Sequence, residues 1–193
     1  FVIICPWAVG GGTDAVSRHL ATQLQQEFGQ PFVVVNKTGG SGAVGHSAGA
    51  TAKADGYTIT MATFELNTMH RMGISELTYE DFTPLMQVNT DAAALIVKKD
   101  APWDTLQEFM DHIRKNPGKV QMSGTGAGGA WDLARAGFQN AAGIPVSSVV
   151  WIPTRGSAPS LLELMGGHID AVCCSLPAAS SQIESGVLRV LAV

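Results

Sequence analysis

The chain of 193 residues has only three cysteines, Cys5, Cys173 and Cys174, and none stands in CxxC or Cys/His spacing. That absence removes a structural zinc site and a thioredoxin-type redox pair. Cys173 and Cys174 are adjacent and poorly placed for a disulfide, and Cys5 lies in an apolar run, so all three read as small buried hydrophobes. They do not settle the compartment. Charged residues make up only 15%, with 12 Lys+Arg against 16 Asp+Glu and a net charge of −4. The basic residues are scattered, which argues against a nucleic-acid surface. No apolar run approaches the ~18–20 residues of a membrane span. The histidines His19, His46, His70, His112 and His168 form no i, i+3 or i, i+4 pair, so helical metal spacing is missing. There is no G-x-x-x-x-G-K-[ST] either, and no cofactor or metal is expected.

What the chain does have is apolar residues, at 46%, and 22 glycines. The first is enough for a core. The second exceeds the usual ~7%. The pattern alternates strand and helix. A strand over 1–7 leads into a Gly-rich turn and a helix from about Asp14 to Phe28, with Val16, Leu20, Leu24 and Phe28 on one stripe and Gly29 as its stop. Strands follow at 31–36 and 57–63, around a small-residue helix that ends near Ala54, and a strand at 92–98. Asp104 and Gln107 read as a capping box for a helix ending near Asn116. Strands at 120–123, 146–153, 168–174 and 187–193 then alternate with helices at 131–142, 158–165 and 178–184. Such alternation implies parallel sheets with helices on both faces. The polar, Pro-containing stretch Lys98-Lys99-Asp100-Ala101-Pro102 suggests a boundary between two lobes.

Two glycine clusters each follow a strand and open a helix. The first is Pro6-Trp7-Ala8-Val9-Gly10-Gly11-Gly12-Thr13-Asp14, and the second Ser123-Gly124-Thr125-Gly126-Ala127-Gly128-Gly129-Ala130-Trp131. Glycine lets backbone approach a ligand, and the helix start aims unpaired N–H groups and a positive dipole end at it. This binds anions without Lys or Arg. Both clusters also fit a dinucleotide fingerprint, as Gly10, Gly12 and Ala15, and as Gly124, Gly126 and Gly129. A nucleotide (NAD)-dependent α/β enzyme would need a carboxylate ending the next strand, and Asn36-Lys37 and Pro153-Thr154-Arg155 stand there instead. A third stretch, Gly39 to Gly45, reads as close packing of a small-residue helix on a sheet. Asp14 reads as a helix cap. Glu65 follows a strand end, where α/β folds bind ligands, and reads equally as a contact to a ligand amine or hydroxyl or as solvent-facing.

The first cluster with Arg18 resembles the P-[FW]-x-x-G-G-x-x-D-x-x-x-R opening of the tripartite tricarboxylate transporter substrate-binding proteins, the Bug family. Further stretches are similar in the same order. These are Asn36 to Gly42, Asp55-Gly56-Tyr57-Thr58, Asn116-Pro117-Gly118-Lys119, Ser123-Gly124-Thr125-Gly126, Pro153 to Gly156, and Leu164-Met165-Gly166-Gly167-His168-Ile169-Asp170. The resemblance covers essentially the whole chain. It implies an α/β fold of the periplasmic-binding-protein-like type II class, with two hinged lobes closing a cleft like a Venus flytrap. Lobe 1 would be 1–98 and lobe 2 99–188, with the hinge near 97–102 and 188–193. The chain would lack a C-terminal part that completes lobe 1, and a signal peptide would precede Phe1.

The implied function is non-enzymatic: a monomeric, exported, periplasmic protein that captures a small organic carboxylate and delivers it to membrane permease subunits. A ligand-sensing subunit of a signalling system is the variant of that function. Carried over from the family, the ligand contacts of the first loop are Trp7, Ala8, Gly10, Gly11, Gly12 and Thr13, and Asp14, Thr63, Phe64 and Glu65 are further candidates beside it. In the second half the carried-over loop is Ser123, Gly124, Thr125, Gly126, Ala127, Gly128 and Gly129, with Arg155 and Gly156 at the P-x-[KR]-G position, and Trp131 is a further candidate. Departures from the family pattern bear on the ligand, a mono- or dicarboxylate. Trp7, Phe64 and Trp131 imply an aromatic or longer one, and Glu65 one with an amine.

Overall fold

The computed structural model describes residues 1–193 and divides into two compact units, Phe1–Val88 and Asn89–Val193. The first unit is built on strands β1 (Val2–Cys5), β2 (Val33–Asn36) and β3 (Thr58–Thr60), parallel and in the order β2-β1-β3. Ile3 of β1 lies opposite Val34 and Ile59, so apolar side chains share one face. Helix α1 (Gly12–Phe28) packs Val16, Leu20 and Leu24 against Ile3, Phe32 and Met61. The expected fourth member of that stripe, Phe28, is exposed and meets the rings of Phe1 and Phe32 at the helix end. Gly29 closes α1 in the left-handed conformation, its N–H donating to the carbonyl of Gln25.

Helix α2 (Ala43–Ala50) explains the third glycine stretch. A Cβ on Gly45 would lie 2.5 Å from Pro6 Cα, and one on Gly49 would lie 2.0 Å from Thr60 Oγ1. These glycines let α2 lie directly on the sheet, as the packing reading expects.

The second unit contains strands β4 (Ala93–Lys98), β5 (Val120–Ser123), β6 (Val149–Trp151), β7 (Ala171–Ser175) and β8 (Leu188–Ala192), in the order β6-β5-β7-β4-β8. Its helices are α3 (Leu106–Lys115), α4 (Ala130–Ala141), α5 (Ser157–Met165) and α6 (Ser180–Glu184). Leu95 and Val97 face a cluster with Phe109 and Ile113 of α3, while Ala94 and Ile96 face Leu161 and Leu164 of α5. This is the period-two alternation of a strand covered on both sides. Cys173 and Cys174 fall on opposite faces for the same reason, and burial pushes both thiols up to about 12.

Three expectations need correction. β4 runs antiparallel to both β7 and β8, so this sheet is mixed. β7, α6 and β8 form a parallel crossover, and β4 enters between its strands from the opposite direction. Alternation along the sequence carries no information about that insertion. For the same reason the strand placed at the end of lobe 1 belongs to the second unit, and the division falls between Val88 and Asn89 rather than at 98. The segments read as hinge, 97–102 and 188–193, begin side by side in one sheet, with Lys98 opposite Leu188. Finally, the capping box of α3 is Thr105 with Glu108, one residue beyond Asp104 and Gln107.

Candidate functional site

The loop between β1 and α1 is fixed at both ends by side chains. Asp14, in the first turn of α1, accepts from Gly10 N–H at 2.9 Å, from Arg18 Nε at 2.9 Å and from Asn36 Nδ2 at 2.8 Å. Asn36 Nδ2 also donates to the Trp7 carbonyl at 2.9 Å. Gly10 takes φ +81°, a value that L side chains rarely adopt, which is why glycine stands there. Burial works against the Asp14 carboxylate, but the bonds from Arg18, Gly10 and Asn36 outweigh it and hold the group below the ordinary carboxylate range.

The loop between β5 and α4 repeats the backbone part of this arrangement, shifted by 118 residues. Gly128 takes φ +72° and donates its N–H to Asp132 at 2.9 Å, as Gly10 does to Asp14. Gly11 N–H reaches the Ala8 carbonyl at 3.3 Å, and Gly129 N–H reaches that of Gly126 at 3.1 Å. Ala15 bonds back to Gly11 and Leu133 to Gly129, both at 3.0 Å. The two N-caps, Gly11 and Gly129, share extended backbone at φ −81° and −77°. Arg135 pairs with Asp132 as Arg18 pairs with Asp14, though from three residues on rather than four.

The pairing with arginine has an electrostatic consequence. A lone carboxylate in the first helical turn would repel an incoming anion. Neutralised by arginine, it shapes the loop while the helix start keeps its excess of N–H donors. Gly12 and Thr13 in α1, and Trp131 in α4, stand where no carbonyl lies four residues back in the same helix.

The structure therefore changes the glycine alignment. Gly10 corresponds to Gly128, not to Gly124 as the dinucleotide fingerprint pairs them, and the geometry gives that reading no support. The recoverable signal was G-G-x-x-D, present as Gly10-Gly11-Gly12-Thr13-Asp14 and again as Gly128-Gly129-Ala130-Trp131-Asp132. Asp132 and Arg135 were missed because the second copy lacks the flanking Pro-Trp.

The remaining candidates fall in distinct surroundings. In the first unit Trp7 is buried and donates its indole N–H to Thr63 Oγ1 at 3.2 Å, with Thr63 in turn donating to Glu65 at 2.6 Å. Glu65 is only 3% exposed, which excludes the solvent-facing alternative, whereas Phe64 is 52% exposed. In the second unit Ser123, Thr125 and Gly126 are buried and Ala127 is exposed. Ser123 Oγ belongs to a hydroxyl cluster with Ser160 at 2.9 Å, and Thr154 lies 2.6 Å from Ser160. That cluster, together with Thr154 N–H donating to the Thr125 carbonyl, fixes the segment before α5 against the glycine loop. Gly124 serves packing, because a Cβ there would lie 2.0 Å from the Cys173 carbonyl. Trp131 packs on both hydrophobic clusters of its unit. Gly156 caps α5, and Arg155 beside it is exposed.

Comparison with known proteins adds three findings. Residues 16–193 match the family described as "Tripartite tricarboxylate transporter family receptor". The chain is 32% identical to protein BugT of Bordetella pertussis over 99% of its own length and 59% of BugT's. Among solved structures, one described as a periplasmic transporter superposes with a TM-score of 0.92 at 33% identity, over 99% of this chain and 64% of that one. Rpa4515 of R. palustris, solved with adipate, gives 0.86 at 27% identity over 98% and 64%. The chain thus spans about three fifths of the length of these relatives.

Proposed function

The chain belongs to the tripartite tricarboxylate transporter family of receptors, and from that premise we propose that it is the larger part of an exported solute-binding protein for a small organic mono- or dicarboxylate. The observation that carries this reading is the duplicated glycine loop. Each unit presents a helix start whose first-turn carboxylate is neutralised by arginine and whose glycine backbone admits close approach. At each loop taken by itself an anion meets N–H donors and no uncompensated acidic side chain. Adipate bound to Rpa4515 agrees with this chemistry.

In this reading the protein works in the periplasm as a monomer, performs no chemistry on its ligand and passes it to membrane permease subunits. The experiment is a thermal-shift screen of the full-length protein with mono- and dicarboxylates, followed by mass spectrometry of any ligand released from the purified protein. At least one carboxylate is expected to raise Tm, since selective binding to the folded state adds stability. Gly126→Val, which places a branched side chain in the second loop, is expected to weaken that binding. A panel in which no carboxylate raises Tm overturns the proposal.

A further inference from the structure

The only acidic residue that the sequence offered for contact with a ligand amine is Glu65, and its surroundings give it another task. Trp7 Nε1–H can only donate. It donates to Thr63 Oγ1, so the Thr63 hydroxyl hydrogen must go elsewhere, and it goes to Glu65 Oε2 at 2.6 Å. The Thr63 amide is held as well, by His46 Nε2 at 3.2 Å. His46 Nδ1 lies 2.7 Å from the Gly42 carbonyl, which can only accept, so the ring is neutral with its proton on Nδ1. Every link in this relay thus has one direction, and it runs from the first residue of the glycine loop into the interior. His46 is 0% exposed and Glu65 3%. Asp14 is 2% exposed, and both of its oxygens take donors. In the second unit Asp132 likewise receives Gly128 N–H on one oxygen and Arg135 on the other.

We propose that Glu65 is a positioning residue, which orients the Trp7 indole through Thr63 and thereby sets the first loop, and that the ligand accordingly carries no ammonium group. The carboxylates at the loops are turned inward and hydrogen-bonded, leaving a donor-rich surface that suits anions and presents no carboxylate to an ammonium. This rests on the carboxylate-binding reading and narrows it.

The test has two independent readouts on the full-length protein. The first is the indole N–H resonance of Trp7 in a ¹H–¹⁵N spectrum, assigned by Trp7→Phe. Thr63→Val and Glu65→Leu are expected to shift this resonance and speed its exchange with solvent. Thr63→Ser keeps the hydroxyl and Glu65→Gln keeps an acceptor oxygen, and both are expected to preserve the signal. The second readout is affinity for succinate and aspartate, which differ by one amine. Succinate is expected to bind more tightly in the wild type. Thr63→Val and Glu65→Leu should weaken it by about tenfold or less, the worth of one hydrogen bond, while Glu65→Gln leaves it within twofold. An indole signal indifferent to Thr63→Val and Glu65→Leu overturns the positioning role. Aspartate binding that is tighter than succinate and selectively lost in Glu65→Gln overturns it too, and makes Glu65 an amine anchor. If the indole signal follows the expected pattern while no compound of the mono- and dicarboxylate panel binds any variant, the relay stands and the carboxylate-binding reading fails.

Discussion

Asp14 shows how much one side chain does in this fold. Its two oxygens hold a loop amide, an arginine and an asparagine from the neighbouring strand. Asp14→Ala leaves those donors without their partner, and we expect a loss of about 1–3 kcal/mol in urea unfolding. Asp14→Asn, which keeps an acceptor, should cost less. Because the Asp14 carboxyl is held low in the folded state, its contribution is present above the unfolded carboxylate range and is lost as pH falls through the folded value. His46 gives a second pH signature. Burial lowers its pKa, outweighing the Gly42 carbonyl and the Glu65 charge, so the folded protein resists protonation that the unfolded chain accepts below about pH 6.5. Stability from this group is therefore present above that pH and falls as the solution is acidified toward the folded value. Thermal unfolding between pH 7 and pH 5 should show the wild type losing more Tm than His46→Asn does. Asp14 and Arg18 were legible as residues, since they stand in the motif. The His46–Thr63 bond was not, because the two are 17 positions apart and meet only through the packing of α2 on β1 and β3.

At the level of elements, glycine marks contact as often as flexibility. Gly124 sits where β5 leaves the sheet, and a Cβ there would meet the Cys173 carbonyl at 2.0 Å and Trp131 Cβ at 2.8 Å. Gly124→Ala must displace backbone, and a loss of more than about 3 kcal/mol in denaturant unfolding is expected. Gly137 lies within α4, is exposed, and has nothing within 4 Å of its Cβ position. Gly137→Ala should instead stabilise by about 0.5–1 kcal/mol. The contrast separates glycine kept for packing from glycine that only weakens a helix. Most strands and helices were visible in the sequence because turn residues and apolar periodicity agree, as at Gly29 and along Phe109–Ile113. The direction of β4 was not. Its apolar run reads the same whether parallel or antiparallel, and only its neighbours β7 and β8 decide the matter.

At the scale of the molecule, the two units differ in how much core they own. The second has clusters on both faces of a five-stranded sheet, while the first has one small cluster around Ile3, Ala21, Phe32 and Met61. Residues 89–193 expressed alone are therefore expected to unfold cooperatively in urea, with a transition followed equally by far-UV circular dichroism and tryptophan fluorescence. A broad, probe-dependent transition would contradict that independence. Each unit carries the same loop, shifted by 118 residues, with G-G-x-x-D in both copies. The central claim is that each of these helix starts is built to receive a carboxylate. It is tested most directly by titrating a carboxylate into the ¹⁵N-labelled full-length protein. The account predicts saturable shifts, concentrated in the backbone amides of Gly12, Thr13, Trp131 and Asp132. Saturable binding that leaves those amides unmoved, or no carboxylate binding at all, would contradict it.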